Sequence, residues 1–202
     1  MKDSNLNADI DFLYEMGNIR YIQRTWSRFL GVDFANLAEH HFRVFWIALV
    51  IASHEKDVDL EKIALLSMLH DIAESRTGDV DYLSRQYVER NEELAIKDML
   101  KGTHFEKKIY DLWQEYEDRT TIESKIVKDA DNLDIDFELA EKAELQGLKL
   151  NKHWREMRGF VAKERLYTTT AKKMFDDLAS SNPHNWHLKG RNRLTSGDWK
   201  KA

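Results

Sequence analysis

His70 and Asp71 stand side by side where the apolar run in "LLSMLHDIAESRTGDVD", residues 65–81, gives way to polar residues. Glu74 and Asp79 follow soon after. An imidazole beside a carboxylate is either a solvated helix end or half of a metal site, and the choice depends on partners elsewhere. Adjacent side chains on a helix diverge by about 100°, so His70 and Asp71 flank one edge and a cation beside the helix is within reach of both. His40 lies on an apolar stripe with Val44, Ile47 and Ile51, where a polar side chain needs a partner, and His41 is its rival. Asp131 falls one turn after Val127 in "IESKIVKDADNLDIDFELA", with Asp129 and Asp134 as competitors. Two imidazoles and two carboxylates suit one divalent transition metal (Mn, Co, Fe, Ni or Zn, with Mg admissible) and leave positions for water and substrate. Such a site is hydrolytic.

The elements that must position these groups read as helices. Apolar residues recur at three- and four-residue spacing almost throughout, and one proline with eight glycines leaves few breaks. The pattern predicts helices near 6–16, 36–54 and 60–75, the last capped by Asp59, with weaker ones near 83–101 and 105–118. Thr120 and Glu123 fit a capping box opening a long helix to about 146. A final helix is expected over 152–181, stopped by Pro183. The expectation is an all-α bundle of about six to eight helices. It reads as a single domain over 1–181, with its motif-bearing core at about 16–146 and a polar tail at 182–202. That tail carries Trp186 and Trp199 and is expected to pack, for example on a second subunit.

Composition narrows the classes. The 202 residues include no cysteine, which excludes disulfides and thiolate metal ligation and suits a reducing cytoplasm. No signal peptide or bilayer-spanning run is read, so no membrane partner is expected. A formal net charge of -5 argues against broad nucleic-acid binding.

The order His…His-Asp…Asp resembles the HD-domain metal-dependent phosphohydrolases. The segments "AEHHFRV", "LHDIAESRTGDV" and "ESKIVKDADNLD" are similar to the branch of bacterial 5′-deoxynucleotidases and their eukaryotic relatives, over roughly residues 16–140. The resemblance implies metal ligands His40, His70, Asp71 and Asp131. It favours His40 over His41 because Glu39, His40 and Val44 match the family's Glu-His pattern. It implies Glu74 as the acid that manages the proton and Asp79, turned by Gly78, as a second catalytic acid. Arg24 resembles the family's phosphate-holding arginine, and Arg28 is close enough in sequence to be its substitute or helper. By position, Lys128 one turn before Asp131 is within reach of the same phosphate, and Trp26 beside Arg24 suggests an aromatic wall for sugar or base. Trp113, Trp154 and Phe160 read as packing, and "QEYEDR" as a solvated helix face.

Two-metal phosphodiesterases of the family need extra histidines, and only His104 lies between Asp71 and Asp131, so one metal per subunit is expected. The cyclic-dinucleotide branch resembles "HDIGK" and the alarmone hydrolases "HDxxED", and neither fits Glu74–Ser75. The implied activity is hydrolysis of deoxynucleoside 5′-monophosphates by a cytoplasmic homodimer. A deoxynucleoside triphosphate hydrolase and a non-catalytic nucleotide-binding protein with a structural metal are the alternatives.

Overall fold

A computed structural model describes residues 6–189, and among them eleven α-helices and no strand occur. Eight are long: α1 (Asn7–Asn18), α3 (Leu37–Ala52), α4 (Leu60–Leu69), α6 (Glu92–Leu100), α7 (Glu106–Asp118), α8 (Ile122–Gln146), α9 (Lys152–Glu164) and α10 (Thr169–Leu178). Three are short: α2 (Trp26–Leu30), α5 (Glu74–Thr77) and α11 (Asn185–Leu188). The all-α expectation stands. Residues 190–202, with Trp199, lie outside the described residues, and Trp186 on α11 is exposed.

Helix α8 is the axis, packed against α3, α4, α7 and α10. Its inward residues Ile126, Val127, Ala130 and Leu133 meet Val44, Ile47, Ala48 and Ile51 of α3 and Ile63 and Leu66 of α4 in one buried core. Burying each of the larger side chains contributes about 1.5–3 kcal/mol, which makes the bundle a stiff frame for polar groups set into it. Leu65, which begins the apolar run before His70, is exposed.

Caps set the frame's register. Asn36 accepts from the Glu39 amide and Glu39 from the Asn36 amide, both at 3.0 Å, a reciprocal cap that starts α3 at Leu37. Asp59 caps α4 through the Lys62 amide at 3.0 Å, as expected. The capping box of α8 is Thr121 with Ser124, shifted by one from the expected Thr120 and Glu123. Glu123 instead accepts from the Asp59 amide (3.0 Å), tying the start of α8 to the cap of α4.

Two expected helices are broken, and each break serves the site. The run expected over 60–75 stops at Leu69. The Ser67 carbonyl accepts from His70 Nδ1 at 2.9 Å, and the amides of Ile72 and Glu74 reach back only three residues, to Leu69 and Asp71. A side chain competing for a helix carbonyl tightens the turn, so Glu74 restarts a separate helix rather than sharing a face with His70. The run expected over 152–181 divides at 165–168. There Asp129 accepts from the amides of Tyr167 (2.7 Å) and Thr168 (2.8 Å) and from the Thr168 hydroxyl (2.8 Å). No described helix is long and apolar enough to cross a membrane.

Candidate active site

The turn that follows α4, the inward face of α3 and the middle of α8 bring His40, His70, Asp71 and Asp131 together. Each offers one ligand-type atom, all within 4.8 Å of one another. His40 Nε2 lies 3.1 Å from His70 Nε2, 3.3 Å from Asp131 Oδ1 and 3.5 Å from Asp71 Oδ2. His70 Nε2 is 3.3 Å from the same Asp71 oxygen.

The far sides of the rings decide what this cluster accepts. His40 Nδ1 donates to Asp134 Oδ2 at 2.7 Å, and His70 Nδ1 donates to the Ser67 carbonyl at 2.9 Å. Those acceptors call for the proton on Nδ1 in both rings, an assignment made from the hydrogen bonds. Two Nε2 lone pairs then face each other, with two carboxylates aimed at the same point. This donor set fits a divalent cation, with the outer partners that orient metal-binding histidines. The same field attracts a proton. Burial and Arg24 work against charge on His40, but Asp131, Asp134 and Asp71 outweigh them and lift its pKa to about 10. A metal ion competes with that proton.

The rival residues fall elsewhere. His41 is buried with neither ring nitrogen hydrogen-bonded, and burial, then His70 and His40, holds its pKa well below the usual range. Its ring packs 4.7 Å from that of His70. Asp129 holds the turn between α9 and α10, and Asp134 supports His40 from behind.

Glu74 is buried at the edge of the cluster. Its Oε1 accepts from Arg90 Nη1 at 2.9 Å, while Oε2 is buried without a partner. Burial, then the charges of Asp71 and Asp79, push its pKa up to about 9. Helix α1 braces this segment: Glu15 accepts from Ser75 Oγ (2.7 Å) and from Arg76 Nε and Nη2 (2.8 Å each). Gly78 makes the turn with φ 74°, where a Cβ is unfavourable. Asp79 then accepts from the Thr25 amide (2.9 Å) and hydroxyl (3.3 Å), fastening the segment that carries Arg24.

Asp71, Glu74, Asp79 and Asp131 line a cavity of about 440 Å³, while His40 and His70 stay buried next to them. Arg24 lines it, 3.7 Å from both Asp71 and Asp79. Lys128 lines it with Nζ 2.6 Å from Asp131 Oδ2. Trp26 lines it too, its ring 5.6 Å from that of Trp154. Arg28 does not line it. That side chain is half exposed and binds Asp81 Oδ2 and Ser84 Oγ at 2.7 Å each, because Asp81 offers it a carboxylate on the outer side of the turn.

Several cavity residues escaped the sequence reading. Trp154 is a wall, not packing alone, and Phe29 stacks on Tyr82 beside it with centroids 5.1 Å apart. Arg158 joins the lining while its guanidinium clamps Asp136 of α8 at 2.6–2.8 Å. In "QEYEDR" Tyr116 is buried with its ring 5.5 Å from that of His70, and Arg119 faces the cavity. The aromatic and basic residue types were the available signal, but each position depends on how α7 and α9 pack over α8.

Residues 16–173 match the family model described as "HD domain", and the chain belongs to that family. It is 30% identical over 144 residues to a protein of Danio rerio named 5′-deoxynucleotidase HDDC2, covering 68% of this chain and 71% of that one. A protein of the same name from Dictyostelium discoideum is 27% identical over 185 residues, covering 85% and 93%. Among solved structures, a conserved hypothetical protein from Pyrococcus furiosus superposes with a TM-score of 0.69 at 26% identity, covering 85% of this chain and 99% of that one. A structure titled predicted metal-dependent phosphohydrolase, from Magnetospirillum magnetotacticum, gives the same TM-score of 0.69 at 20% identity, covering 88% and 95%, and shares the fold.

Proposed function

We propose that this protein is a metal-dependent 5′-deoxynucleotidase, hydrolysing deoxynucleoside 5′-monophosphates to deoxynucleoside and phosphate. One observation carries the reading: the carboxylates of Asp71 and Asp131, backed by the buried facing imidazoles of His40 and His70, line a cavity of about 440 Å³, within the range of small-ligand sites. The names of the relatives point the same way.

His40, His70, Asp71 and Asp131 are the groups to hold one divalent ion, of which Mn, Co, Fe, Ni and Zn suit the mixed donors and Mg is admissible. When bound, such an ion supplies Lewis acidity towards phosphate and acidifies water. Arg24 and Lys128 counter the charge that builds on the phosphoryl oxygens. Water adds to phosphorus, the bond from phosphorus to the 5′ oxygen breaks, and one proton passes from the water to the leaving oxygen. We assign Glu74 to that transfer, since it is buried beside Asp71 with one oxygen unengaged. Asp79 serves by orienting Arg24, and Trp26 with Trp154 bounds the sugar and base end. A homodimer and a cytoplasmic setting belong to the same proposal, supported by the exposed stripe of Phe42, Trp46 and Val50 on α3 and by the absence of cysteine.

A phosphate-release screen tests this, run over ribo- and deoxyribonucleoside mono- and triphosphates with each metal in turn. Phosphate from deoxynucleoside monophosphates, lost in Asp71→Ala and on chelation, is the expected result. Turnover that survives either treatment overturns it, and tripolyphosphate from triphosphates reassigns the substrate.

A further inference from the structure

Six cationic side chains line the cavity: Arg24, Arg85, Arg90, Arg119, Lys128 and Arg158. Four are matched by acids. Arg24 lies near Asp71 and Asp79, Arg90 binds Glu74 (2.9 Å) and Glu92 (2.7 Å), Lys128 binds Asp131 (2.6 Å) and Arg158 binds Asp136 (2.6 Å). Arg85 is exposed and donates Nε to the Val80 carbonyl at 2.7 Å.

Arg119 differs. Its Nη1 is buried without a hydrogen-bond partner, and among the described residues no carboxylate lies within ion-pair distance of it, although Glu117 of the same lining acts on it through charge. The guanidinium carbon instead stacks 3.6 Å over the ring of Tyr116. Tyr116 connects it to the metal-type cluster, with its hydroxyl 3.5 Å from Asp131 Oδ2 and its ring packed on His70. A guanidinium held on an aromatic face keeps its N–H edge free for a planar or tetrahedral anion.

The backbone points the same way. Arg119 follows the last residue of α7 with φ 52° and ψ 34°, the left-handed region. Glycine or asparagine is favoured at that helix-ending position, and a long side chain such as arginine is disfavoured there. A large cation kept in a strained conformation, facing a reactive cavity, is the pattern of a functional constraint. Lys128 lines the same cavity and carries a like charge, with Glu117 the acid in the lining that feels both. A phosphate entering the cavity meets both cations.

We propose that Arg119, propped on Tyr116, is a phosphate-binding residue that acts with Lys128 on the phosphoryl oxygens of the substrate. The assignment rests on the phosphohydrolase reading above. It adds a cation that arrives from α7, whereas Arg24 comes from the segment before α2 and Lys128 from α8.

The test uses the full chain loaded with manganese, comparing wild type with Arg119→Gly, Arg119→Asn and Arg119→Lys. Glycine and asparagine suit the left-handed conformation, so Arg119→Gly is expected to melt at or above the wild-type Tm, and Arg119→Asn repeats the measurement should the glycine variant fail to fold. Inorganic phosphate, titrated calorimetrically, is expected to bind either variant about tenfold to hundredfold more weakly, as for loss of a charge-assisted hydrogen bond. The kcat/KM for deoxynucleoside monophosphates is expected to fall by a similar factor, with Arg119→Lys intermediate. Phosphate affinity within about twofold of wild type in a folded Arg119→Gly or Arg119→Asn protein overturns the proposal. A wild type that binds phosphate yet releases none from any nucleotide overturns the phosphohydrolase reading, while the phosphate titration still decides Arg119.

Discussion

His40 gives its Nδ1 proton to Asp134 and turns Nε2 towards His70, so the chemistry of the cluster is governed by an acid outside it. Asp134→Ala removes that acceptor. The imidazole is then free to rotate or take the other tautomer, and outer partners of this kind are typically worth about 10–100-fold in metal affinity. We expect manganese affinity to fall by about that factor while the far-UV circular dichroism stays native, measured by calorimetric titration. Unchanged affinity would remove Asp134 from the site. Asp129, only five residues earlier on the same helix, is expected to leave metal affinity intact when replaced, because its hydrogen bonds run to the α9–α10 turn.

Two local elements hold the walls, and each has a breaking point. The division between α9 and α10 depends on Asp129, which receives three hydrogen bonds from Tyr167 and Thr168. Asp129→Ala leaves buried amides without acceptors, and we expect a loss of about 3 kcal/mol in urea unfolding. The turn after Asp79 depends on Asp81, whose carboxylate accepts from the amides of Leu83 and Ser84 at 2.9 Å and from Arg28. Those bonds, the Ser84 amide foremost, hold its pKa down from 3.8 to about 2. A depressed carboxylate pKa stabilises the fold above the unfolded value and loses that contribution as pH falls through the folded one. Asp81→Asn is therefore expected to melt a few degrees below wild type at pH 7. The difference should shrink from pH 4 to pH 2; a gap that stays constant over that range would show that Asp81 acts through shape and not charge.

At the scale of the whole molecule, the four ligand-type residues come from α3, the turn directly after α4, and α8, so an ion joining them crosslinks the core. Binding that occurs only in the folded chain adds about 2.7 kcal/mol at a hundredfold excess over Kd. For a chain of this size that corresponds to a Tm rise of about 5–10 °C with manganese, reversed by a chelator and absent in Asp71→Ala. No shift in the wild type would mean that α3, α4 and α8 are not linked through a metal. Helix α8 makes the crosslink effective, since it packs on α3 and α4 and carries Asp131, Asp134 and Lys128 on one segment.

Much of this was legible from residue types and spacing. The helical class follows from apolar periodicity with one proline, and His40, His70, Asp71 and Asp131 stand out because ionisable groups on inward stripes need partners. Local chemistry also marks Asp59 as a cap and Gly78 as a turn. The sequence by itself left His40 against His41, and Asp131 against Asp129 and Asp134, unresolved from residue type, because rivals one or a few residues apart differ only in which neighbour each meets. Tertiary structure decided those. It also divided the helices at 70–73 and 165–168, turned Arg28 outwards, and made Trp154, Arg90 and Arg119 part of the cavity. These outcomes depend on the sign of a backbone angle, on competition for a carbonyl, or on a helix far away in the chain. None of these is a property of a residue and its sequence neighbours.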